Sequence, residues 1–178
     1  MRIISISNQK GGVGKTTTTV NLAASLALSK KKVLLIDLDP QGNATSGAGI
    51  NKTGLISSIY DALIEQKTIN EVVLHSEDGL FDVAAANQSL AGAEVELVGI
   101  KNREFILKKA IEGLTVKYDY ILIDCPPALN LLTVNALVAS DSVLIPMQCE
   151  YYALEGLSDL VNTIRKVKKN LNPNIEIE

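Results

Sequence analysis

Ile3-Ile4-Ser5-Ile6 leads into Gln9-Lys10-Gly11-Gly12-Val13-Gly14-Lys15-Thr16-Thr17, and the reading of this stretch decides the fold. The first run has the pattern of a buried strand. In residues 18–30, Val20, Leu22, Ala23, Leu26, Ala27 and Leu28 can form one broad helical face. Strand, glycine-rich loop and helix, in that order, turn a phosphate-loop string into a mechanism. Glycines let backbone N–H groups converge on an anion with no Cβ in the way, and the helix N-terminus adds the positive end of its dipole. Lys15 then reaches the β- and γ-phosphates, and the Thr16 hydroxyl coordinates Mg²⁺. Lys10, Gly11, Gly12, Gly14, Lys15 and Thr16 match by residue type. At average residue usage, about one chain in a hundred thousand of this length matches by chance. The expected phosphate-binding residues are therefore Gly11, Gly12, Val13, Gly14, Lys15, Thr16 and Thr17.

The loop departs from the ordinary pattern. Gln9 stands where a standard phosphate loop has its first glycine, and a second lysine, Lys10, follows it. On composition alone Lys10 is as readily a solvated loop lysine as a functional one. These residues resemble the deviant Walker A ATPases of the MinD/ParA superfamily. In that family the additional lysine crosses a dimer interface to the partner's nucleotide, and the resemblance gives Lys10 that role.

Two further motifs follow in order. Leu34-Leu35-Ile36-Asp37-Leu38-Asp39-Pro40-Gln41-Gly42-Asn43 sets two carboxylates at the C-terminal end of a strand, the edge where open α/β sheets bind ligands. Asp39-Pro40 also suits an ordinary turn. Phosphoryl transfer to water needs a group that orients the water, which is the chemical reading of this pair. The text Asp-Leu-Asp-Pro-Gln-Gly-Asn is similar to the ParA/Soj branch, and that similarity assigns Asp39 to the water and Asp37 to the surroundings of the metal. Tyr120-Ile121-Leu122-Ile123-Asp124-Cys125-Pro126-Pro127 is a buried strand ending in a carboxylate, the Walker B pattern. Asp124 would hold a Mg²⁺-bound water opposite Thr16. The two prolines cannot continue a strand ladder and begin a loop. Cys125 reads as a small packed residue. The segment 146–156 also looks like the ParA/Soj branch; its Tyr151 and Tyr152 suit either exposed contacts or packing.

Outside the motifs, apolar strands expected at 3–7, 33–37, 81–85, 120–124 and 142–146 alternate with helical stretches. Leu107, Ala110, Ile111 and Leu114 recur at helical spacing, as do Leu157, Leu160, Val161, Ile164 and Leu171. This order predicts a single domain, 1–178, with a mostly parallel central sheet covered on both faces: a three-layer α/β/α P-loop NTPase fold. Residues 42–51, rich in Gly, Asn, Ser and Thr, read as a mobile loop, and His75 as a solvated side chain. Residues 174–178 begin a strand and stop, so the chain reads as truncated relative to the family it resembles.

Composition narrows the function classes. The chain has 178 residues, 47% of them hydrophobic, and a net charge of −3, so it is not a polyanion binder as a whole. Lys30-Lys31-Lys32 and the group Arg165, Lys166, Lys168, Lys169 sit near helix ends, where cations complement the dipole. No apolar run approaches the ~18 residues of a membrane span, and the chain enters its first strand at once, without a signal peptide. Two cysteines make no disulfide framework and read as reduced thiols of a cytoplasmic protein.

The resemblance to ParA/Soj chromosome- and plasmid-partitioning ATPases implies an ATP-driven switch. ATP and Mg²⁺ join two subunits into a sandwich homodimer with each Lys10 on the other's nucleotide. The dimer binds DNA nonspecifically, which implies nucleoid association, and a ParB/Spo0J-type centromere-binding protein stimulates hydrolysis. In the family, the base contacts and DNA-binding arginines come largely from a C-terminal part beyond these residues, which separates DNA binding and stable dimerisation from what this polypeptide is expected to do alone. A MinD-like membrane-positioning ATPase would need a C-terminal amphipathic helix and normally lacks the Pro-Gln-Gly-Asn text. A dethiobiotin-synthetase-like ligase on the same scaffold would couple ATP turnover to a carboxylated metabolite. An iron–sulfur carrier would need a cysteine pairing that Cys125 and Cys149 do not offer.

Overall fold

Strand β1 (Arg2–Ile6) lies near the centre of a seven-stranded sheet, and its position there follows from burial. Ile3, Ile4 and Ile6 are all shielded, which only an interior strand with both faces covered allows. The computed structural model describes residues 1–148 and 153–178. Along the chain, β1 is followed by α1 (Lys15–Leu28), β2 (Val33–Asp37) and α2 (Asn43–Gly47). Next come α3 (Ile59–Leu63), α4 (Ile69–Val72), β3 (Val73–Ser76) and β4 (Phe81–Ala84). Then follow α5 (Leu90–Leu97), α6 (Ile106–Glu112), β5 (Tyr120–Asp124) and α7 (Leu131–Ala139). The last elements are β6 (Ser142–Leu144), α8 (Ala153–Asn170) and β7 (Glu176–Ile177).

The sheet order is β3-β4-β2-β5-β1-β6-β7, parallel throughout except for β3, which runs antiparallel to β4. Side chains alternate across it with period two. Leu34, Ile36, Ile121 and Ile123 join one core with Leu63 and Leu107, whereas Val33, Leu35 and Leu122 join a second core with Ala23 of α1. A third apolar cluster, around Val143, Leu160 and Ile164, packs α7 and α8 at the β6 side. Helices thus cover both faces, and the expected three-layer arrangement with a mostly parallel sheet is observed.

Register is what positions the site. Asp124 pairs across to Ile6 of β1 on one side and to Asp37 of β2 on the other. Three strands therefore end in one row, and the segments that follow Ile6, Asp37 and Asp124 emerge side by side at the C-terminal edge.

Several expectations need correction. The strands expected to end at residues 7, 85 and 146 end at Ile6, Ala84 and Leu144. Pro146 has no N–H to give a ladder; its carbonyl instead accepts the Asn8 side-chain amide at 2.8 Å. Residues 42–51, expected as a mobile loop, contain α2, with Ala44 and Thr45 fully buried. Composition misled there because the helix is held by contacts with α1, where Gly47 lies against Val20, and not by propensity. Helix α1 begins at Lys15, three residues before the expected start, and ends in a Schellman arrangement: Lys31 N–H donates to Leu26 O and Lys30 N–H to Ala27 O, with Lys30 at φ 61. His75 is exposed as expected, and its ring sits 2.8 Å from Asp82, the residue opposite it on β4. Cys149, Glu150, Tyr151 and Tyr152 lie outside the described residues.

Candidate nucleotide site

The phosphate loop occupies the gap between the end of β1 and the start of α1. Gly14 forms the N-cap at φ 90, a left-handed conformation that a side chain would strain. No side chain caps α1 and no acidic residue stands in its first turn, so its N-terminal dipole end is left for an incoming anion. Gly11 and Gly12 are exposed, and a Cβ on either would meet nothing within 4 Å, so the loop has open space beside it. Asn8 braces the entry to this loop: its Oδ1 accepts the Lys10 N–H at 3.0 Å while its amide holds Pro146 O. From the far side, the Gln148 amide donates to Gly12 O at 3.1 Å.

Lys15 is only 7% exposed, and its ammonium donates to the Lys10 carbonyl at 3.1 Å. Burial lowers the Lys15 pKa, against the pull of Asp124 and Asp39, whose negative charges favour the protonated form. Lys10 itself is half-buried.

Asp124 receives two hydroxyls of α1. Thr16 Oγ1 donates to Oδ2 at 2.7 Å, and Thr19 Oγ1 shares its proton between Oδ1 at 3.0 Å and the Lys15 carbonyl at 2.9 Å. Burial outweighs both bonds and, with the neighbouring Asp37 and Asp39, pushes the Asp124 carboxyl up to about 7. One hydroxyl and one carboxylate in contact make a hard-oxygen donor set of the kind Mg²⁺ accepts when phosphates complete its shell. Thr16 and Asp124 fit that group.

The acidic pair after β2 separates into two environments. Asp39 is 8% exposed; its Oδ1 accepts the Gln41 N–H at 2.9 Å and its carbonyl accepts the Gly42 N–H at 2.8 Å, closing a tight turn. Asp37 is fully buried. Its Oδ1 accepts the Asp39 N–H at 3.1 Å, and its Oδ2 accepts both the backbone N–H and the hydroxyl of Thr45, at 2.8 and 2.7 Å. Desolvation still raises the Asp37 carboxyl to about 6. Of the three residues expected around a metal, Thr16 and Asp124 are in contact, whereas Asp37 is engaged with Thr45. Among the described residues, no group of three or more His, Cys, Asp or Glu side chains is arranged to hold a metal without a ligand's help.

The structure therefore brings Lys15, Thr16, Asp39 and Asp124 to one edge of the sheet, as their motifs predict. Spacing missed Asn8, Thr19 and Thr45. Only Thr19 left a signal, since it lies three residues after Thr16 and so shares its helical face. Cys125 is buried and its thiol is pushed up by burial, in keeping with packing and no chemistry. At α8, Arg165, Lys166, Lys168 and Lys169 are exposed while Ile164 and Val167 are buried.

The family model described as an AAA domain matches residues 1–177. The chain is 57% identical over 177 residues to the sporulation initiation inhibitor protein Soj of Bacillus subtilis, covering 99% of this chain and 70% of that one. The chain belongs to the ParA/Soj family. It is also 58% identical over 177 residues to the chromosome partitioning protein ParA of Myxococcus xanthus, of which it covers 62%. This ParA/Soj chain thus spans under two thirds of the length of that ParA protein. Among solved structures, it superposes at a TM-score of 0.96 and 37% identity on cobyrinic acid a,c-diamide synthase from Mycobacterium smegmatis with bound ADP and magnesium. That match covers 99% of this chain and 72% of the synthase. The shared fold is the P-loop NTPase fold of the ParA/Soj proteins. Among the described residues, no helix is long and apolar enough to cross a membrane.

Proposed function

We propose that the chain is the ATP-binding and ATP-hydrolysing part of a ParA/Soj-type partitioning switch. The observation that supports this best is the common row in which β1, β2 and β5 end. It brings the phosphate loop, Asp39 and Asp124 to one edge of the sheet. The α1 N-terminus and the amides of Gly11 to Thr17 bind the phosphates. Lys15 exchanges the Lys10 carbonyl for β- and γ-phosphate oxygens. Thr16 and Asp124 would hold Mg²⁺, which would supply charge neutralisation at the phosphate oxygens. Asp39 orients the water that attacks the γ-phosphate. Lys10 extends to the nucleotide of a second subunit; in family members that carry the C-terminal part, the ATP-bound homodimer engages nonspecific DNA and a ParB/Spo0J-type partner in the cytoplasm.

The likeness to a magnesium- and ADP-bound synthase favours a second reading, a ligase that spends ATP on a carboxylated metabolite. The higher identity to the partitioning proteins supports the switch. Sedimentation of the Asp39→Ala protein with Mg²⁺–ATP and with Mg²⁺–ADP tests it. A dimer in ATP alone is expected, with ATP turnover reduced by about a hundredfold or more from that of the wild-type protein, the scale of a lost water-orienting group. Wild-type turnover by this variant would remove Asp39 from the mechanism, and turnover that depends on an added carboxylated metabolite would replace the switch with the ligase.

A further inference from the structure

The contacts of the turn after β2 point beyond the motif. We propose that Asp37 and Thr45 are positioning residues that hold Asp39 in place, and that Asp37 is not a metal-holding residue; the inference rests on the water-orienting reading of Asp39. Asp37 has no exposed surface, and both of its oxygens face inward. A carboxylate has room for about four donors. Three are supplied from within eight residues of the same chain: Asp39 N–H, Thr45 N–H and Thr45 Oγ1–H. Thr45 then spends its acceptor capacity elsewhere. Its Oγ1 takes the Ala86 N–H at 2.9 Å, a residue 41 positions along the chain and just past the end of β4.

That bond changes what the turn hangs from. Without it, the tie between Asp37 and Thr45 would stay within β2 and the segment that follows it. With it the turn is cross-braced to the next strand of the sheet, and the brace is reinforced twice. Gly42, at φ +62, presses so close to Ala86 that a Cβ there would come within 2.8 Å of the Ala86 carbonyl. On the outer side, the Lys52 ammonium donates to Gln41 O at 2.6 Å. Asp39 sits at the head of this braced turn, its own carboxylate tied to Gln41 N–H. A group that orients a water must be held to about half an ångström. Asp37 meets that need from behind: as an acceptor-only anion it takes one donor on Oδ1 and two on Oδ2, whereas a neutral amide would turn its two hydrogens toward one of these sets.

Thr45→Val and Thr45→Ser separate bracing from other roles, because valine keeps the shape and serine keeps the hydroxyl; Asp37→Asn is the direct but more disruptive companion. Amide hydrogen exchange of residues 39–46 in the nucleotide-free protein, the affinity for ATP, kcat, and the magnesium concentration for half-maximal turnover would be measured in each. Thr45→Val removes both the hydroxyl's bond to Asp37 and its bond from the Ala86 N–H, and is expected to speed exchange and to lower kcat by about ten- to a hundredfold. ATP affinity and the magnesium requirement stay unchanged, and Thr45→Ser restores both exchange and kcat. A raised magnesium requirement with unaltered exchange in Asp37→Asn would make Asp37 a metal-holding residue and overturn the proposal. Faster exchange in Thr45→Val with wild-type kcat would overturn it too, by reducing the brace to a structural one. Should the wild-type protein bind ATP without hydrolysing it, the reading of Asp39 fails, and the exchange arm still decides whether Asp37 and Thr45 hold the turn.

Discussion

The phosphate loop and the turn after β2 leave the same edge of the sheet and are built in opposite ways. From Gly11 to Gly14 the loop is open: a methyl added at any of its three glycines would meet no atom within 4 Å. At Gly42 the same methyl would collide with the Ala86 carbonyl and the Lys52 side chain, at 2.8 and 2.9 Å. One region is backbone held ready for a ligand, and the other is backbone already packed against protein. Emptiness in the first and tightness in the second both suit the proposed roles, since phosphates need space and a carboxylate that orients water needs fixity.

The largest expected effect probes the open region. Lys15→Ala is expected to weaken ATP binding by about a hundredfold or more, because truncating one member of a close charge pair costs about 3 kcal/mol. Titration with a fluorescent ATP analogue would read it, and wild-type affinity would break the assignment. A pair of alanine substitutions then tests the contrast itself. Gly42→Ala is expected to lower folding stability by about 1–3 kcal/mol, from left-handed strain and the clash with Ala86. Gly11→Ala should leave the urea midpoint unchanged and weaken ATP binding, because its methyl enters the space phosphates need. Equal urea midpoints in the two variants would erase the distinction between the regions.

The smallest effect concerns the carboxylates beneath both regions. Burial raises Asp124 to about 7 and Asp37 to about 6, above the ordinary carboxylate range. A raised acid pKa means that the folded chain holds more protons than the unfolded one between about pH 4 and pH 7, so stability falls as pH rises through that window. The melting temperature of the nucleotide-free protein is therefore expected to drop by several degrees from pH 5 to pH 7.5. Glu71 and Glu178 are lowered instead, by hydrogen bonds from Thr68 and Ser142 respectively, and pull the other way; both are solvated and screened, so they weigh less. A melting temperature that rises over this range would show that Asp124 and Asp37 are ionised at far lower pH than their burial implies.

What sequence revealed follows the same division. Lys15, Thr16, Asp39 and Asp124 were legible because each belongs to a short string whose spacing carries the chemistry, and alternating apolar runs made the parallel sheet legible too. The bracing was not. Thr45 meets Ala86 across 41 residues, Thr19 meets Asp124 across 105 and Asn8 meets Pro146 across 138. Such pairings are set by strand order, which no local window contains. The short helix α2 escaped for a related reason: Asn43, Thr45, Ser46 and Gly47 are poor helix formers, and tertiary contacts override their preference. The antiparallel edge strand β3 was hidden because its short apolar run, Val73-Leu74, breaks off at His75-Ser76.

One feature of the open region has a consequence for how fast and how tightly a nucleotide can be taken up. A solvated lysine must give up rotational freedom worth about 1.5–2 kcal/mol when it is fixed on a ligand. Lys15 is already shielded and tethered to the carbonyl of Lys10 before any phosphate arrives. Its disorder was lost when the chain folded, so under the proposed role the capture of a triphosphate is a swap of one oxygen for another by a side chain that is already held.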